Sequence, residues 1–268
     1  MRIISSRFSI IFYCVLFNLL FEYSARGLGF TLERPIFYLF MAGIYASYYA
    51  IFEDLIVRFK LTNLQIALFS VFWSFYPTTF ITNNLINPRT YSGINILGIN
   101  LGALLFISLF AWPFLQGIFT FYLANRLAPR DWNHPRMGVI GYALAIGYLL
   151  IIPIINRPAE TVANVRFITY AAVFLLMLFV LGAFIFSVRR GRREKAPTFE
   201  RLPFMDFLVF ASVIILFVLG TFFYRGEQVT TTQALSQRAV VIQHAWLALS
   251  AILFLIYRLF IRRRDVVV

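Results

Sequence analysis

Glu53 is the residue whose charge fits its sequence surroundings least. It lies about 7 Å inside the end of an apolar stretch, at 1.5 Å per helical residue. Asp54 has Arg58 four residues on, whereas Glu53 has only apolar residues at that spacing. A carboxylate there needs another helix, a loop arginine, a ligand cation or a proton. We expect Glu53 to face the protein interior, in one row with Tyr45 and Tyr49.

A second row of chemically useful residues lies in the first apolar stretch. Cys14, Asn18 and Glu22 are spaced by four, so a helix would place them on one stripe, which is expected to face protein. Arg26 follows Glu22 by another four residues. We therefore expect Glu22 to form a local ion pair with Arg26.

The fourth apolar stretch carries a proline near its middle together with polar side chains. Pro113 cannot donate a backbone hydrogen bond, so it frees a carbonyl one turn earlier and kinks a helix. Ser108, Trp112, Gln116 and Thr120 follow helical spacing and share one face. An interrupted helix with an amide at mid-depth indicates a solute site in a transporter. The same amide could instead bridge two helices, and both interpretations stay open.

The connecting segment of residues 125–137 holds three arginines around an aromatic ring. Arg126, Arg130 and Arg136 surround Trp132. Arginine binds phosphate in a fork geometry, and tryptophan prefers the headgroup level of a membrane. The three arginines are therefore candidates to hold a lipid phosphate, and anionic headgroups are the predicted partner. Plain anchoring by positive charge explains the same composition.

The second apolar stretch has small residues at every fourth position. Ala42, Ala46 and Ala50 follow this spacing, which lets another helix approach closely. We predict that this face is a contact surface, possible also for a membrane-protein partner.

The inventory of metal-binding and nucleophilic residues is small, and it excludes several function classes. The chain has one cysteine and two histidines, and the predicted topology places the histidines on opposite faces. We therefore predict no metal site, no cofactor and no catalytic residues. Neither Lys60 nor Lys195 lies in an apolar stretch, which excludes a retinal Schiff base. The net charge of +13 is concentrated in loops on one side, which favours membrane orientation over nucleic-acid binding.

These residues are positioned by eight apolar stretches, each close to the roughly 20 residues that cross a membrane. Hydrophobic residues make up 61% of the chain, more than is typical of a soluble domain. The sequence predicts an all-α, polytopic transmembrane helix bundle that forms a single domain over residues 1–268. The predicted spans are residues 8–25, 36–57, 64–82, 101–124, 138–155, 167–188, 205–224 and 240–261.

The arginines and lysines predict the orientation of these spans. The two ends of the chain and every second gap between spans hold 17 of the 24 Lys and Arg residues, and the alternate gaps hold the other 7. Excess positive charge marks the cytoplasmic side of a membrane. We therefore predict that both termini are cytoplasmic and that the protein is a multi-pass protein of a plasma or inner membrane.

The loops are too short to fold as domains, so any activity is expected to belong to the bundle. We predict a permease-like protein that binds or passes a neutral or hydrophobic solute. The residues predicted to line its route are Gln116, Trp112, Ser108, Thr120, Glu53, Tyr49 and Tyr45. The alternative is a non-catalytic subunit of a larger membrane complex. A lipid-modifying enzyme comes third, because no acid, base and nucleophile converge on one membrane face.

Overall fold

Eight helices account for most of the described chain. The computed structural model describes residues 6–86, 94–128, 130–133, 136–156, 165–190, 202–223 and 238–257. Within these residues the helices are α1 (Ser6–Glu33), α2 (Pro35–Phe59), α3 (Asn63–Tyr76), α4 (Leu101–Leu127), α5 (Val139–Asn156), α6 (Phe167–Arg190), α7 (Pro203–Val218) and α8 (Arg238–Ile256). Short π-helical turns extend α3 to Ile81 and α7 to Phe223.

Six of these helices are long and apolar enough to cross a membrane, namely α1, α2, α4 and α6, together with α3 and α7 when their π-helical extensions are included. The apolar parts of α5 and α8 are shorter, Val139–Ile155 and Val241–Ile256. Large apolar side chains such as Ile36 and Phe179 lie exposed on the helices, as surfaces that face lipid require. The coarser part of the prediction is confirmed: the described chain is mostly helical, and several of its helices are long and apolar enough to cross a membrane. Each described helix also overlaps one predicted span.

α1 runs past the point where the first span was expected to end. The expected end was residue 25, but the helix continues to Glu33 through a break at Gly27, whose φ of 80° and ψ of 171° are not helical. Glycine tolerates this conformation because it has no Cβ. The Thr31 hydroxyl donates to the Gly27 carbonyl at 2.9 Å, in the first turn after the break. The gap predicted to begin at residue 26 is therefore mostly helical, which corrects the prediction.

α4 is α-helical at both ends and π-helical from Leu104 to Phe119. In a π-helix each N–H bonds to the carbonyl five residues back. Pro113 has no N–H, so it leaves the Ser108 carbonyl without its helical donor. The Ser74 hydroxyl of α3 lies 3.5 Å from that carbonyl oxygen. The freed carbonyl therefore lies one π-helical turn before the proline, which is one residue earlier than it would lie in an α-helix.

The proline of α5 also removes a backbone donor, and a side chain of α3 replaces that donor. Pro153 lies inside α5 and removes the donor to the carbonyl four residues earlier, that of Leu149. The Tyr76 hydroxyl of α3 donates to the Leu149 carbonyl. Because a polar group within a membrane must be satisfied by protein, Tyr76 ties α3 to α5 at the break.

We expect the cost of Tyr76→Phe to depend on Pro153. In the wild-type background the change should destabilise the protein by roughly 0.6–1.7 kcal/mol, the range for hydrogen bonds inside membranes. In a Pro153→Ala background, residue 153 regains its N–H and the same change should cost little. Thermal unfolding of the four proteins in one detergent measures this coupling. Equal costs in both backgrounds would show that Tyr76 does not replace the missing donor.

A small β-hairpin precedes α4. Its strands are β1 (Asn95–Ile96) and β2 (Ile99–Asn100), which pair antiparallel. The Asn100 side chain then caps α4 by accepting from the Ala103 N–H at 3.0 Å. The segment between the third and fourth predicted spans comprises residues 83–100. Its last residues form this hairpin, and residues 87–93 lie outside the described part of the chain.

The chain divides into two compact units. Unit 1 comprises residues 1–19 and 34–200, and unit 2 comprises residues 20–33 and 201–268. In unit 1, α3 packs against α4 and α6, while α2 packs against α5. In unit 2, α7 packs against α8, where the Trp246 indole donates to the Ser212 hydroxyl at 2.8 Å. That the whole chain acts as a single transmembrane domain stays a prediction.

Candidate functional site

α2 carries a buried ion pair near its end, in unit 1. The Arg130 guanidinium donates through Nε to Oε1 of Glu53 and through Nη2 to Oε2, with both distances 2.7 Å. Both side chains are fully buried. The rings of Phe121 and Trp132 have their centroids 5.8 Å and 5.4 Å from the Arg130 Cζ atom. Two parallel bonds to a carboxylate are a strong pairing for arginine, and they supply the loop-arginine partner expected for Glu53.

Asp54, the next residue, joins three further segments to α2. Its carboxylate accepts from the Tyr142 hydroxyl at 2.6 Å and from the Met137 backbone N–H at 2.7 Å. It also pairs with Arg7 of α1 and, at 2.8 Å, with Arg58. The Asp54–Arg58 pair predicted from helical spacing is therefore confirmed. Adjacent residues of α2 thus hold both parts of the segment that connects α4 to α5.

A layer of aromatic rings lies next to the ion pair, toward the middle of α2. Phe121 meets Phe52 edge to face with ring centroids 4.9 Å apart, and it meets Tyr49 at 5.3 Å. Phe52 also contacts Phe69 of α3 at 4.7 Å. Phe52 and Phe121 are fully buried. The layer separates the charges of the ion pair from the polar groups one helical turn deeper.

Four polar residues meet there between α1, α2 and α4. The Asn18 amide Nδ2 lies 2.6 Å from the Tyr49 hydroxyl, 3.2 Å from the Thr120 hydroxyl and 2.9 Å from the Cys14 carbonyl. The Tyr49 hydroxyl donates to the Gln116 backbone carbonyl at 2.8 Å. Asn18, Tyr49, Gln116 and Thr120 are all buried, and we refer to them as the amide cluster.

Three oxygen atoms in this region are buried without a hydrogen-bond partner among the described residues: Asn18 Oδ1, Gln116 Oε1 and Ser108 Oγ. The first two belong to the amide cluster. Ser108 lies eight residues before Gln116, so it is about two helical turns away. A buried polar atom without a partner costs about 1–3 kcal/mol. Such atoms are rare in folded proteins, where buried polar groups usually pair with protein or with ordered water.

The structure buries all seven residues that were predicted to line a solute route. It brings three of them into the amide cluster and places Glu53 on the other side of the aromatic layer. Trp112 packs against Tyr48 with centroids 5.6 Å apart, and Tyr45 lies 6.4 Å from Tyr49. Their role in a solute route stays a prediction.

Asn18 is the member of the amide cluster that was not predicted as a site residue. The sequence placed it on the stripe with Cys14 and Glu22 that was expected to face protein, and Asn18 is fully buried. The feature of the sequence that could have identified Asn18 is a polar amide side chain inside an apolar helix. Nothing in the sequence indicated that it meets Thr120, which is 102 residues away. The Glu22–Arg26 pair expected on the same helix is present in unit 2.

The three arginines between α4 and α5 occupy different environments. Arg130 is buried against Glu53, so its guanidinium is not presented to a lipid phosphate in this arrangement. The Glu53 carboxylate engages the same fork of donors that a phosphate would use, and a lipid-phosphate role of Arg130 stays a prediction. Arg136 is exposed and Arg126 is half-exposed. For these two arginines the phosphate role stays a prediction.

The alanine row of α2 is half-exposed at Ala42, Ala46 and Ala50. The close approach between α2 and α5 occurs beside it, at Gly43, where an added Cβ would collide with the Tyr148 hydroxyl. The helix contact therefore uses the glycine, because only the absence of a Cβ leaves room for the tyrosine. The alanine row as a surface for another membrane protein stays a prediction.

These features define the class of the protein as a mostly helical chain with several helices of membrane-crossing length and a polar interior in unit 1. Among the described residues, no three His, Cys, Asp or Glu side chains are grouped so that they could hold a metal ion. No family model matches the sequence, no curated protein matches it, and no solved structure matches its fold.

Proposed function

We propose that this chain is a permease-like membrane protein that binds and passes a small neutral solute between α1, α2 and α4. The amide cluster is the observation that carries the proposal. It combines two buried amide oxygens that have no partner among the described residues with a π-helical stretch of α4 in which Pro113 leaves a backbone carbonyl without its helical donor. Interrupted helices in transporters offer backbone and side-chain polar groups to a bound solute.

The chemistry of the amide cluster favours an uncharged solute that carries hydrogen-bond donors. The oxygen atoms Asn18 Oδ1 and Gln116 Oε1 are acceptors only. The charges of Glu53 and Arg130 neutralise each other beyond the aromatic layer. A charged solute would therefore lose its hydration without gaining a counter-charge. Hydroxyl or N–H groups of a neutral solute are the donors that such oxygens accept.

A hydrophobic solute has a separate candidate place in unit 1. An apolar crevice of about 250 Å³ is lined by Phe72, Trp73, Tyr76, Ile146, Leu149, Leu150 and Met177 of α3, α5 and α6. The Tyr76 hydroxyl is already bonded to the Leu149 carbonyl. The crevice therefore suits an acyl chain more than a polar solute. We rank it second, because a membrane lipid could fill any such crevice without being transported.

We also propose that all eight helices cross a plasma or inner membrane and that both termini are cytoplasmic. α5 has 18 residues and is about 27 Å long, close to the thickness of the hydrocarbon core. If α5 did not cross, the gap at residues 189–204, with six Lys and Arg residues, would lie on the external side. Excess positive charge disfavours that arrangement and draws anionic headgroups to the cytoplasmic face. Tags at the two termini should be labelled only from the cytoplasmic side, and an externally labelled terminus would contradict the topology.

We expect Gln116→Leu to abolish solute flux while the protein stays folded. Leucine has a similar size but no amide, so the cluster loses one of its two partnerless acceptors. Glycerol and urea are suitable probes, because both are small, neutral and rich in donors. Flux into proteoliposomes can be followed by light scattering in a stopped-flow instrument. The change in stability should not exceed about 1 kcal/mol, since intramembrane hydrogen bonds contribute on that scale.

Ser250→Ala is the matched control for this experiment. The Ser250 hydroxyl is also buried without a partner among the described residues, but it lies in unit 2. It should leave the flux of both probes unchanged. A folded Gln116→Leu protein with wild-type flux would contradict the role of Gln116 in a solute site. If the wild-type protein passed the probes no faster than empty liposomes, small neutral solutes with hydrogen-bond donors would be ruled out as its substrates.

A non-catalytic subunit of a larger membrane complex is the second candidate function. The half-exposed row of Ala42, Ala46 and Ala50 supports it, because membrane helices approach each other closely at small residues. Purification from the native membrane in mild detergent separates the two functions. A large stable complex favours the subunit, whereas a lone particle favours the permease.

A further inference from the structure

Among the described residues of the segment between α4 and α5, Arg130 places its side chain among the helices of unit 1. The described residues Asp131–Asn133 and Arg136 of the segment are exposed, whereas Arg130 is fully buried. The segment is held on either side of these exposed residues. The Arg130 N–H donates to Asn125 Oδ1 at 3.2 Å, and the Met137 N–H donates to the Asp54 carboxylate. The segment is therefore a strap whose inward contact is the ion pair with Glu53.

The strap leads through direct contacts to the amide cluster. Arg130 lies over the Phe121 ring, and Phe121 meets the Tyr49 ring edge to face at 5.3 Å. The Tyr49 hydroxyl in turn bonds to Asn18 and to the Gln116 carbonyl. If Arg130 moved away from Glu53, its guanidinium would no longer lie over the Phe121 ring. Only the Phe121 ring would then separate the amide cluster from the place that Arg130 had occupied.

We propose that the Glu53–Arg130 pair is a latch that closes the solute route at the end of α2. With the latch closed, the strap and the aromatic layer cover the amide cluster. With the latch open, small solutes reach the cluster from the side of the strap. This inference rests on the proposed function, since the route that the latch closes is the one proposed for the solute.

A buried ion pair suits this role for an energetic reason. Removing both charges from water offsets most of their attraction, so such a pair adds little net stability compared with apolar side chains. The pair is nevertheless specific, because both guanidinium donors must align with both carboxylate oxygens. A buried charge that loses its partner costs several kcal/mol, so the pair can open only as water reaches both charges. A carrier needs two states of similar free energy, and hydration of the separated charges is what would bring the open state close to the closed one.

Cys14 provides a reporter for the open state. It is the only thiol of the chain, it is fully buried, and its carbonyl accepts from Asn18 of the amide cluster. The thiol also lies near enough to Glu53 and Arg130 to interact electrostatically with both. The rate at which N-ethylmaleimide alkylates Cys14 in proteoliposomes therefore measures how often the cluster is reached.

The decisive variant is the double change Glu53→Gln/Arg130→Gln. It removes the ionic attraction but leaves no unpaired buried charge, and the two opposite charges next to the thiol disappear together. We expect the alkylation rate to rise about tenfold, as a tenfold larger open population requires. Glu22→Gln is the matched control, since it breaks the ion pair of α1 with Arg26 in unit 2. It should leave the rate unchanged.

Circular dichroism and size-exclusion chromatography at the assay temperature show whether each variant is folded. A folded double variant whose Cys14 is as protected as in the wild type would overturn the latch. If the double variant does not fold, Arg130→Lys is tested instead, because lysine keeps the positive charge but cannot form two parallel bonds to the carboxylate. A folded Arg130→Lys protein whose Cys14 is alkylated no faster than in the wild type would overturn the latch. Faster alkylation in the double variant, together with wild-type flux in Gln116→Leu, supports the opening of the latch and rejects the solute role. If Cys14 of the double variant is alkylated as slowly as in the wild type and Gln116→Leu has lost its flux, the solute role is supported and the latch is rejected.

Discussion

Arg130→Met is expected to destabilise the protein by about 3–5 kcal/mol, because it leaves the buried Glu53 carboxylate without its arginine. Glu53 lies inside α2, where its neighbours three and four residues on are Ile56 and Val57. The carboxylate must then take up a proton or draw water among the helices, and each costs free energy. Unfolding by SDS in mixed micelles, followed by circular dichroism, measures the loss.

Two further variants show whether the loss of stability comes from the broken ion pair or from the loss of any arginine. Glu53→Leu/Arg130→Met should recover most of the lost stability, since apolar side chains of similar size often replace a buried pair without cost. Arg126→Met removes a half-exposed arginine from the end of α4 and should change stability by no more than about 0.5 kcal/mol. Equal tolerance of Arg130→Met and Arg126→Met would mean that the buried pair is not formed in the membrane.

Asp54→Ala is expected to cost about 3 kcal/mol, because one carboxylate serves four donors, three of which belong to segments outside α2. Its loss removes the acceptor of the Met137 N–H and of the Tyr142 hydroxyl. It also leaves the guanidinium groups of Arg7 and Arg58 close together without the charge between them. The same unfolding assay measures the effect. Trypsin should in addition cleave faster within the segment between α4 and α5.

Arg58→Ala is the control, because it removes one ion pair of Asp54 and leaves the contacts of Asp54 with other segments intact. The Arg58 side chain is 28% exposed, and its pair with Asp54 lies within one helix. Partly exposed pairs of this kind contribute no more than about 1 kcal/mol. Asp54→Asn, which keeps an acceptor oxygen and loses the charge, should fall between the two. If Asp54→Ala cost no more than Arg58→Ala, the carboxylate would not be joining the segments.

Helix positions could be inferred from the sequence because they depend on local properties. An apolar run of about 20 residues can satisfy its backbone in a membrane only as a helix. The second span was predicted at residues 36–57 and is found at Pro35–Phe59, and the sixth was predicted at 167–188 and is found at Phe167–Arg190. α1 departs from its predicted end, because Gly27 interrupts the helix without ending it.

The partners of distant residues could not be inferred in the same way. Hydropathy and helical spacing identified Glu53 as a carboxylate without a local cation, and they paired Asp54 with Arg58 four residues on. They could not select Arg130, 77 residues away, from the other loop arginines, because the choice depends on how the strap folds back onto α2. The meeting of Asn18 with Thr120 likewise required the packing of α1 beside α4. Periodicity is a property of a few consecutive residues, whereas an interior site is assembled by helices whose contacts no single segment encodes.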